Sequence, residues 1–263
     1  MDIKKILDEQ GYYGPTAFLS EAEILEYTRL RDQIRKDIDW MSSDYRCKAN
    51  LLFPYISKIS KNQIILDHVK QILGPNLTCY DAFVWLKSPK STETVGYHRD
   101  GYYWNFVNQT RAVTVWITLT GATKEMGCLK YVVNSHKSNI TEPAEDDLVY
   151  VESPPGTFII HHPYMLHGSN ENTSEHLRDG ISLCFVATDE KPRYHYAVET
   201  ATIVSGVDEF NYRLHEPAPA DEWRQNLETW QWASDLQSTN FVKAIENKDF
   251  DLAGISLKSY INN

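Results

Sequence analysis

Long apolar runs are missing from this sequence of 263 residues, and their absence excludes whole classes of protein. No run approaches the ~20 consecutive apolar residues that a membrane-spanning helix needs. The first residues, MDIKKILDEQGYYG, are charged and lack the apolar centre of a secretory signal peptide. We therefore expect a soluble cytoplasmic protein.

Cysteines and bases are also too few for several kinds of site. The sequence has four cysteines and no CxxC pair, which argues against a thiolate zinc site or a dithiol redox centre and favours buried free thiols. Acidic residues outnumber basic ones by 36 to 26, a net charge of −10, so nucleic acid and anionic membranes are poor partners. A small-molecule substrate is the expected partner, and the sequence leaves the oligomeric state open.

The residues that are present predict a β-rich middle between two helical ends. Ser20 and Glu23 have the spacing of a capping box, which predicts a helix from there to about Trp40. Short β-rich runs separated by Gly, Pro, Asn and Ser follow at 78–86, 112–119, 128–133, 156–161 and 181–187. This spacing favours a β-sandwich or barrel over alternating βαβ units.

The whole chain, 1–263, is expected to form a single domain. Its helical N-terminal part would run to about residue 75, its β core from about 76 to 200, and its helical C-terminal segment from about 218 to 263. Three tryptophans in that last segment, Trp223, Trp230 and Trp232, are expected to pack it onto the core, with a lid or an oligomer contact as the alternative.

The residues that carry chemistry begin with His98 and Asp100. On a β-strand, residues two apart point to the same face, so both side chains can reach one metal ion. His167, in the segment MLHGSN, would complete a set of two histidines and one carboxylate. Such a set suits Fe(II), because it leaves positions open for substrate and dioxygen, although zinc hydrolases use similar sets.

Two further histidines, His161 and His162, compete with His167 as the third ligand. Neighbours on a strand point to opposite faces, so one of the pair should be buried. We prefer His167, which begins the tripeptide His-Gly-Ser at 167–169. A turn-rich stretch separates it from Arg178, which stands at the start of a β-rich run. A guanidinium placed there could hold the carboxylate of a co-substrate with two hydrogen bonds.

Four segments, taken in order, resemble the phytanoyl-CoA dioxygenase family of Fe(II)/2-oxoglutarate-dependent oxygenases: LDEQGYYGPTAFLSEAEI, YHRDGYYW, VWITLTGATKEMGCLKYVVNSHKSN and HGSNENTSEHLR. The resemblance covers residues 8–190. It implies a mainly β (α+β) fold, namely a double-stranded β-helix, or cupin-like jelly-roll, flanked by N- and C-terminal helices. It also implies Fe(II) as cofactor, with 2-oxoglutarate and O2 as co-substrates.

Position by position, the resemblance implies six site residues. They are His98, Asp100 and His167 as metal ligands and catalytic residues, and Arg178, Ser169 and Trp116 at the co-substrate. One departure is NSH at 134–136, where relatives commonly read GSH. Related halogenases replace the carboxylate ligand with a small residue, so Asp100 favours hydroxylation over halogenation.

Aromatic residues are expected to line part of the substrate pocket. Four of them follow Asp100 closely: Tyr102, Tyr103, Trp104 and Phe106. The segment 194–196, Tyr-His-Tyr, is a second candidate for the rim. Aromatic side chains also pack barrel cores, which is the ordinary alternative.

The expected activity is hydroxylation of a small molecule at a C–H bond, with release of succinate and CO2. CoA binders usually offer Lys and Arg at the pocket mouth, whereas the segment 141–152 is acidic and has neither. We therefore favour a neutral or cationic natural product, such as an alkaloid or amino-acid derivative, over an acyl-CoA or a carrier-tethered acyl group. A non-catalytic metal-binding jelly-roll protein is the alternative of another class.

Overall fold

Two β-sheets face each other in the computed structural model, which describes residues 2–38, 44–141, 143–194 and 198–246. Within those residues, the larger sheet contains, in spatial order, Tyr12–Ala17 (β1), Thr157–His161 (β7), Ala112–Thr118 (β4), Arg178–Ala187 (β9), Leu77–Lys87 (β2), Thr200–Ser205 (β10) and Leu214–His215 (β11). The smaller sheet contains Val95–His98 (β3), His167–Ser169 (β8), Leu129–Val132 (β5) and Leu148–Val151 (β6). All paired strands are antiparallel except β10 and β11.

Helices cover the outer face of the larger sheet. They are Ile3–Gln10 (α1), Glu21–Ile34 (α2), Ala49–Leu52 (α3), Pro54–Ser60 (α4), Gln63–Leu73 (α5) and Leu227–Glu246 (α6). The capping box at the start of α2 is present: the Ser20 hydroxyl accepts from the Glu23 N–H, and the Glu23 carboxylate accepts from the Ser20 N–H at 2.9 Å. The helix ends at Ile34, earlier than the predicted Trp40, which lies outside the described residues.

The alternation of side chains along the strands separates the core from the site. On β4, Val113, Val115 and Ile117 point into the apolar core beneath the helices. Thr114 and Trp116, on the opposite face, line the space between the two sheets. Because β4 lies between β7 and β9, its inward face is at the centre of that space.

The expected fold class, a jelly-roll flanked by helices, is confirmed. Each of the five predicted β-rich runs contains a strand. The prediction was wrong at both borders of the β core, since β1 lies inside the N-terminal part predicted to be helical and β10 and β11 lie beyond residue 199. The sequence of β1, YYGPTA, has no alternating apolar pattern because this strand forms the edge of the sheet and stays half-exposed. The assignment of the whole chain to one domain stays a prediction.

The C-terminal tryptophans pack as expected at two of three positions. Trp230 is buried and its indole N–H donates to the Cys47 carbonyl at 2.9 Å, while Trp223 packs against the same core. Trp232 is 41% exposed, so it does not hold the segment in place. The segment predicted to be helical from about 218 to 263 contains a 3-10 turn at Trp223–Asn226 and α6, and its residues from 247 onward lie outside the described part of the chain.

The cysteines are free, as expected, and Cys79, Cys128 and Cys184 are buried. Cys47 departs from the prediction because it is only half-buried. None of the helices in the described ranges combines the length and the apolar character that a membrane span requires.

Candidate active site

Three predicted ligand residues meet at the ends of two paired strands. His98 ends β3, His167 begins β8, and the two residues are direct partners in the ladder between these strands. Their ring centroids lie 4.2 Å apart. Asp100 follows β3 and joins them, so that one potential ligand atom from each residue lies within 4.8 Å of the others. In the described part of the chain, no other group of three His, Cys, Asp or Glu residues has this geometry.

Backbone carbonyls fix the tautomers of both histidines. The Nδ1 of His98 lies 2.9 Å from the Gly96 carbonyl, and the Nδ1 of His167 lies 2.9 Å from the Met165 carbonyl. A carbonyl can only accept, so each Nδ1 carries the proton and each Nε2 keeps its lone pair for a metal. Burial, together with the nearby His98, holds the pKa of His167 well below its usual range, which keeps the ring neutral.

The two oxygens of Asp100 have different surroundings. Its Oδ1 lies 3.4 Å from the His98 Nε2 and 3.7 Å from the His167 Nε2. Its Oδ2 accepts hydrogen bonds from the Thr114 hydroxyl and, at 3.0 Å, from the His161 Nε2. Burial alone would raise the pKa of Asp100, but these histidines outweigh it and hold that pKa well below its usual range. Asp100 acts on His98 in the opposite sense and raises its pKa. The site therefore offers two imidazoles and one carboxylate, the donor set that suits Fe(II).

A cavity of about 390 Å³, part of it open to solvent, connects the three ligand residues with Arg178. Arg178 is 2% exposed, and its guanidinium donates to the Ser169 hydroxyl and to the Trp85 carbonyl, both at 3.3 Å. Its Nε–H has no hydrogen-bond partner. Burial lowers the pKa of Arg178 to about 10, so the group stays charged at neutral pH. A buried cation with an unused donor fits a carboxylate ligand such as that of 2-oxoglutarate.

The acids near Arg178 do not neutralise it. Asp179 and Glu93 are the carboxylates whose charges raise the pKa of its guanidinium. Each is ion-paired elsewhere, Asp179 with Arg31 and Glu93 with Arg46. The charge of Arg178 is therefore left for a ligand.

Trp116 forms a wall beside this guanidinium, with its ring 5.8 Å from the Arg178 Cζ. Gly180 leaves room for both side chains. A Cβ at that position would lie 2.9 Å from the Trp116 Nε1 and 3.0 Å from the Arg178 Nη1, closer than ordinary contact. The structure thus brings all six predicted site residues into one cavity.

Several lining residues escaped the sequence analysis. Thr114 and Ser182 could have been found by strand alternation, since each lies on the inward face of a strand that carries a predicted residue. Trp85, whose indole N–H donates to Ser182 at 2.9 Å, lies on the neighbouring strand β2. Lys87, the direct partner of Arg178 across β2 and β9, does not line the described cavity.

The competing histidines occupy different surroundings. His161 is buried and touches the Asp100 carboxylate, whereas His162 is half-buried with its ring 5.4 Å from that of His136. The expectation that one of the two is buried is confirmed. His162 does not line the cavity.

The aromatic residues after Asp100 do not line the described cavity, contrary to expectation. Phe106 is buried against Tyr80, and Tyr103 comes no closer than 6.3 Å between ring centroids to His98. The lining rings are instead Trp85 and Trp116. Of the second candidate rim, residues 195 and 196 lie outside the described residues.

Comparisons with known proteins identify the family of this chain. A family model described as "Phytanoyl-CoA dioxygenase (PhyH)" matches residues 7–180, well over half of the chain. The chain belongs to this family. A probable phytanoyl-CoA dioxygenase of Caenorhabditis elegans is 27% identical over 168 residues, which cover 54% of this chain and 53% of that protein. The chain thus spans about half the length of this curated relative.

Two other proteins extend the comparison over more of the chain. A probable alpha-ketoglutarate-dependent hypophosphite dioxygenase of Stutzerimonas stutzeri is 22% identical over 216 residues, or 73% of this chain and 72% of that protein. The solved structure of ThoJ, a non-heme monooxygenase in its apo form, has a TM-score of 0.83 and 22% identity and covers 94% of this chain and 100% of its own. The likeness to ThoJ shows a shared fold. The family and the donor set of the site agree on iron as cofactor and 2-oxoglutarate as co-substrate.

Proposed function

We propose that this protein is an Fe(II)/2-oxoglutarate-dependent dioxygenase that hydroxylates a small molecule. His98, Asp100 and His167 would hold the iron, and Arg178, Ser169 and Trp116 would hold the co-substrate. The observation that carries the proposal is the buried guanidinium of Arg178, which has an unused donor and faces the same cavity as the three ligand residues. A metal-binding protein without catalysis would have no use for this buried, unneutralised cation.

Each protein group has a definite task in this activity. When bound, iron with 2-oxoglutarate and dioxygen supplies the oxidant for the C–H bond, and succinate and CO2 leave. The two imidazoles and the carboxylate would hold the metal, and this donor set leaves positions open for the co-substrate and dioxygen. Arg178 and the Ser169 hydroxyl bind the far carboxylate of the co-substrate. The Trp85 and Trp116 rings exclude water from the reacting atoms and position the substrate.

The carboxylate of Asp100 favours hydroxylation over halogenation. It fills the position that related halogenases leave to chloride, and its Oδ1 already faces both histidines. Hydrogen bonds from Thr114 and His161 hold it there.

For the substrate, we propose a free neutral or cationic natural product, such as an alkaloid or an amino-acid derivative. Among the residues that line the cavity, Arg178 is the one Lys or Arg, and the co-substrate would occupy it. The bases near the first motif are committed to the protein itself. Arg99 is buried and donates to four backbone carbonyls, and Arg111 pairs with Asp189 at 2.6 Å. Neither is left to meet the phosphates of a CoA thioester.

The acidic segment 141–152 lends less support to a cationic substrate than its charge suggests. Glu145 accepts from the Tyr150 hydroxyl at 3.5 Å, and Glu152 accepts from the Lys124 N–H at 2.7 Å. The segment contributes no residue to the lining of the described cavity. Its influence on a cationic substrate would act through the long-range field alone.

The test is a turnover screen that measures succinate in the presence of Fe(II), 2-oxoglutarate and oxygen. Free amines, guanidines and amino acids would be compared with acyl-CoA thioesters, and Arg178→Leu would serve as the inactive control. We expect substrate-dependent succinate release with a member of the first group. Coupled hydroxylation of an acyl-CoA, with no response to the first group, would overturn the substrate class. Iron binding without any consumption of 2-oxoglutarate would instead support the non-catalytic alternative.

A further inference from the structure

We propose that His161 is a positioning residue that, with Tyr131 behind it, allows only one oxygen of Asp100 to reach the metal. The inference rests on the proposed function, because it concerns the same metal site. It assigns a task to a histidine that is not a ligand in the assignment above.

The ring of His161 is fixed at both nitrogens. Its Nε2 lies 3.0 Å from the Asp100 Oδ2, and its Nδ1 lies 2.9 Å from the Tyr131 hydroxyl. A carboxylate only accepts, so the Nε2–H donates to Asp100. His161 is 1% exposed and Tyr131 is fully buried, so water does not compete for either hydrogen bond. Tyr131 in turn stacks on Tyr12 of β1, with ring centroids 4.9 Å apart.

Two strands deliver donors to the same oxygen. Thr114 on β4 and His161 on β7 are direct partners in the ladder between these strands, and both donate to the Asp100 Oδ2. The other oxygen, Oδ1, is the one that faces His98 and His167. The register of the larger sheet thus gives the two carboxylate oxygens different roles: Oδ2 accepts hydrogen bonds, and Oδ1 is left to bind the metal.

This division matters because the chemistry needs open positions on the metal. Two histidines and one carboxylate oxygen leave room for 2-oxoglutarate and dioxygen. A carboxylate that bound through both oxygens would occupy one of those positions. By holding Oδ2, His161 keeps the position for dioxygen free.

The test uses nitric oxide as a stand-in for dioxygen on the anaerobic protein loaded with Fe(II) and 2-oxoglutarate. Its affinity is read from the electron paramagnetic resonance signal of the iron–nitrosyl complex. We expect His161→Leu to weaken nitric oxide binding roughly 10- to 100-fold, the size of the loss in metal affinity or activity that follows when a hydrogen bond to a metal ligand is removed. His161→Gln keeps an N–H near the position of Nε2 and should retain most of the affinity. Fe(II) content is measured on every variant, and His162→Gln is the matched control.

A second variant keeps the test decisive if His161→Leu folds poorly. That substitution leaves the Tyr131 hydroxyl buried without a partner, so Tyr131→Phe is added to remove both members of the hydrogen bond. Wild-type nitric oxide affinity in this double variant, or an equal loss in His161→Gln and His161→Leu, would overturn the proposal. If the wild-type protein itself retains no Fe(II) or binds no 2-oxoglutarate, the proposed function fails and this inference falls with it.

Discussion

Lys87 and Arg178 stand directly opposite each other on β2 and β9, and both side chains are buried. Lys87 donates to the carbonyls of Ser169 and Asn170, so it too has no acidic partner in its hydrogen bonds. Burial and the neighbouring Arg178 lower the pKa of Lys87 to about 7. Two adjacent cations therefore give one end of the cavity a positive potential that an anionic co-substrate would relieve.

Replacement of Arg178 by leucine should weaken 2-oxoglutarate binding strongly. The change would remove one partner of a buried charge pair, a loss of roughly 2–5 kcal/mol in comparable interfaces. That corresponds to roughly a 30-fold to several-thousand-fold higher Kd. Calorimetric titration of the metal-loaded protein measures it. Unchanged 2-oxoglutarate affinity in Arg178→Leu would show that the guanidinium does not anchor the co-substrate.

The affinity for 2-oxoglutarate should also fall as the pH rises through about 7. Below its lowered pKa of about 7, Lys87 is charged and attracts the dicarboxylate; above it, Lys87 is neutral and the attraction is lost. The carboxylates of 2-oxoglutarate stay ionised across this range, so the change comes from the protein. Titrations at pH values on either side of 7 would measure the slope. In Lys87→Met the affinity should be lower at the acidic end and independent of pH; a slope equal to that of the wild type would exclude Lys87 as its source.

Loss of any one predicted metal ligand should abolish turnover. His98→Ala, Asp100→Ala and His167→Ala each remove one of three protein donors, which exposes the metal to loss and mis-coordination. His162→Ala is the matched control, since His162 lies outside the cavity and should keep its iron. Iron content and succinate release are measured on all four. Iron lost from His162→Ala but retained by His167→Ala would contradict the assignment of the third ligand.

Asp179 should be important for stability, although it does not line the cavity. It is buried, pairs with the buried Arg31 of α2, and accepts from the Thr118 hydroxyl at 3.0 Å and the Leu119 N–H at 2.9 Å. Asp179→Ala would leave the buried guanidinium of Arg31 with only the exposed Asp32 as an ion-pair partner, so we expect a loss of roughly 3–5 kcal/mol in the free energy of unfolding. Urea denaturation measures this loss.

An exposed ion pair provides the control for that experiment. Glu175, whose side chain is 75% exposed, pairs with Lys90 at 2.9 Å. Glu175→Ala should lower the free energy of unfolding by less than about 1 kcal/mol, because solvent screens such pairs. Similar losses in the two variants would mean that Asp179 does not act as a buried partner of Arg31.

The part of the site that could be predicted depends on short-range patterns. His98 and Asp100 are two apart, and although β3 ends at His98, the extended backbone of Arg99 continues the alternation that places both on one face. His167 and Arg178 followed from the motif around them and from the resemblance to the family, which also supplied the jelly-roll. These features can be recognised in the sequence because each depends on residues that are near in the chain or on an ordered set of segments.

The part that could not be predicted depends on register between distant strands. His161 reaches Asp100 because the pairing of β7 with β4 places His161 opposite Thr114. Lys87 reaches Arg178 because β2 and β9 pair in one particular alignment. A shift of one residue in either ladder would turn these side chains to the other face, and nothing local in the sequence specifies that alignment.

β1 covers the backbone edge of a strand that carries a residue of the candidate site. It lies at the edge of the larger sheet and pairs with β7, placing Tyr12 opposite His161. Without β1, the backbone N–H and C=O groups of β7 would form an open edge, which can act as a template for a strand of another molecule. Since β7 carries His161, a truncated chain that lacked residues through Ala17 would expose to intermolecular pairing the same strand that supports the active site. β1 thus keeps the hydrogen-bonding edge of the strand that carries His161 paired within the chain.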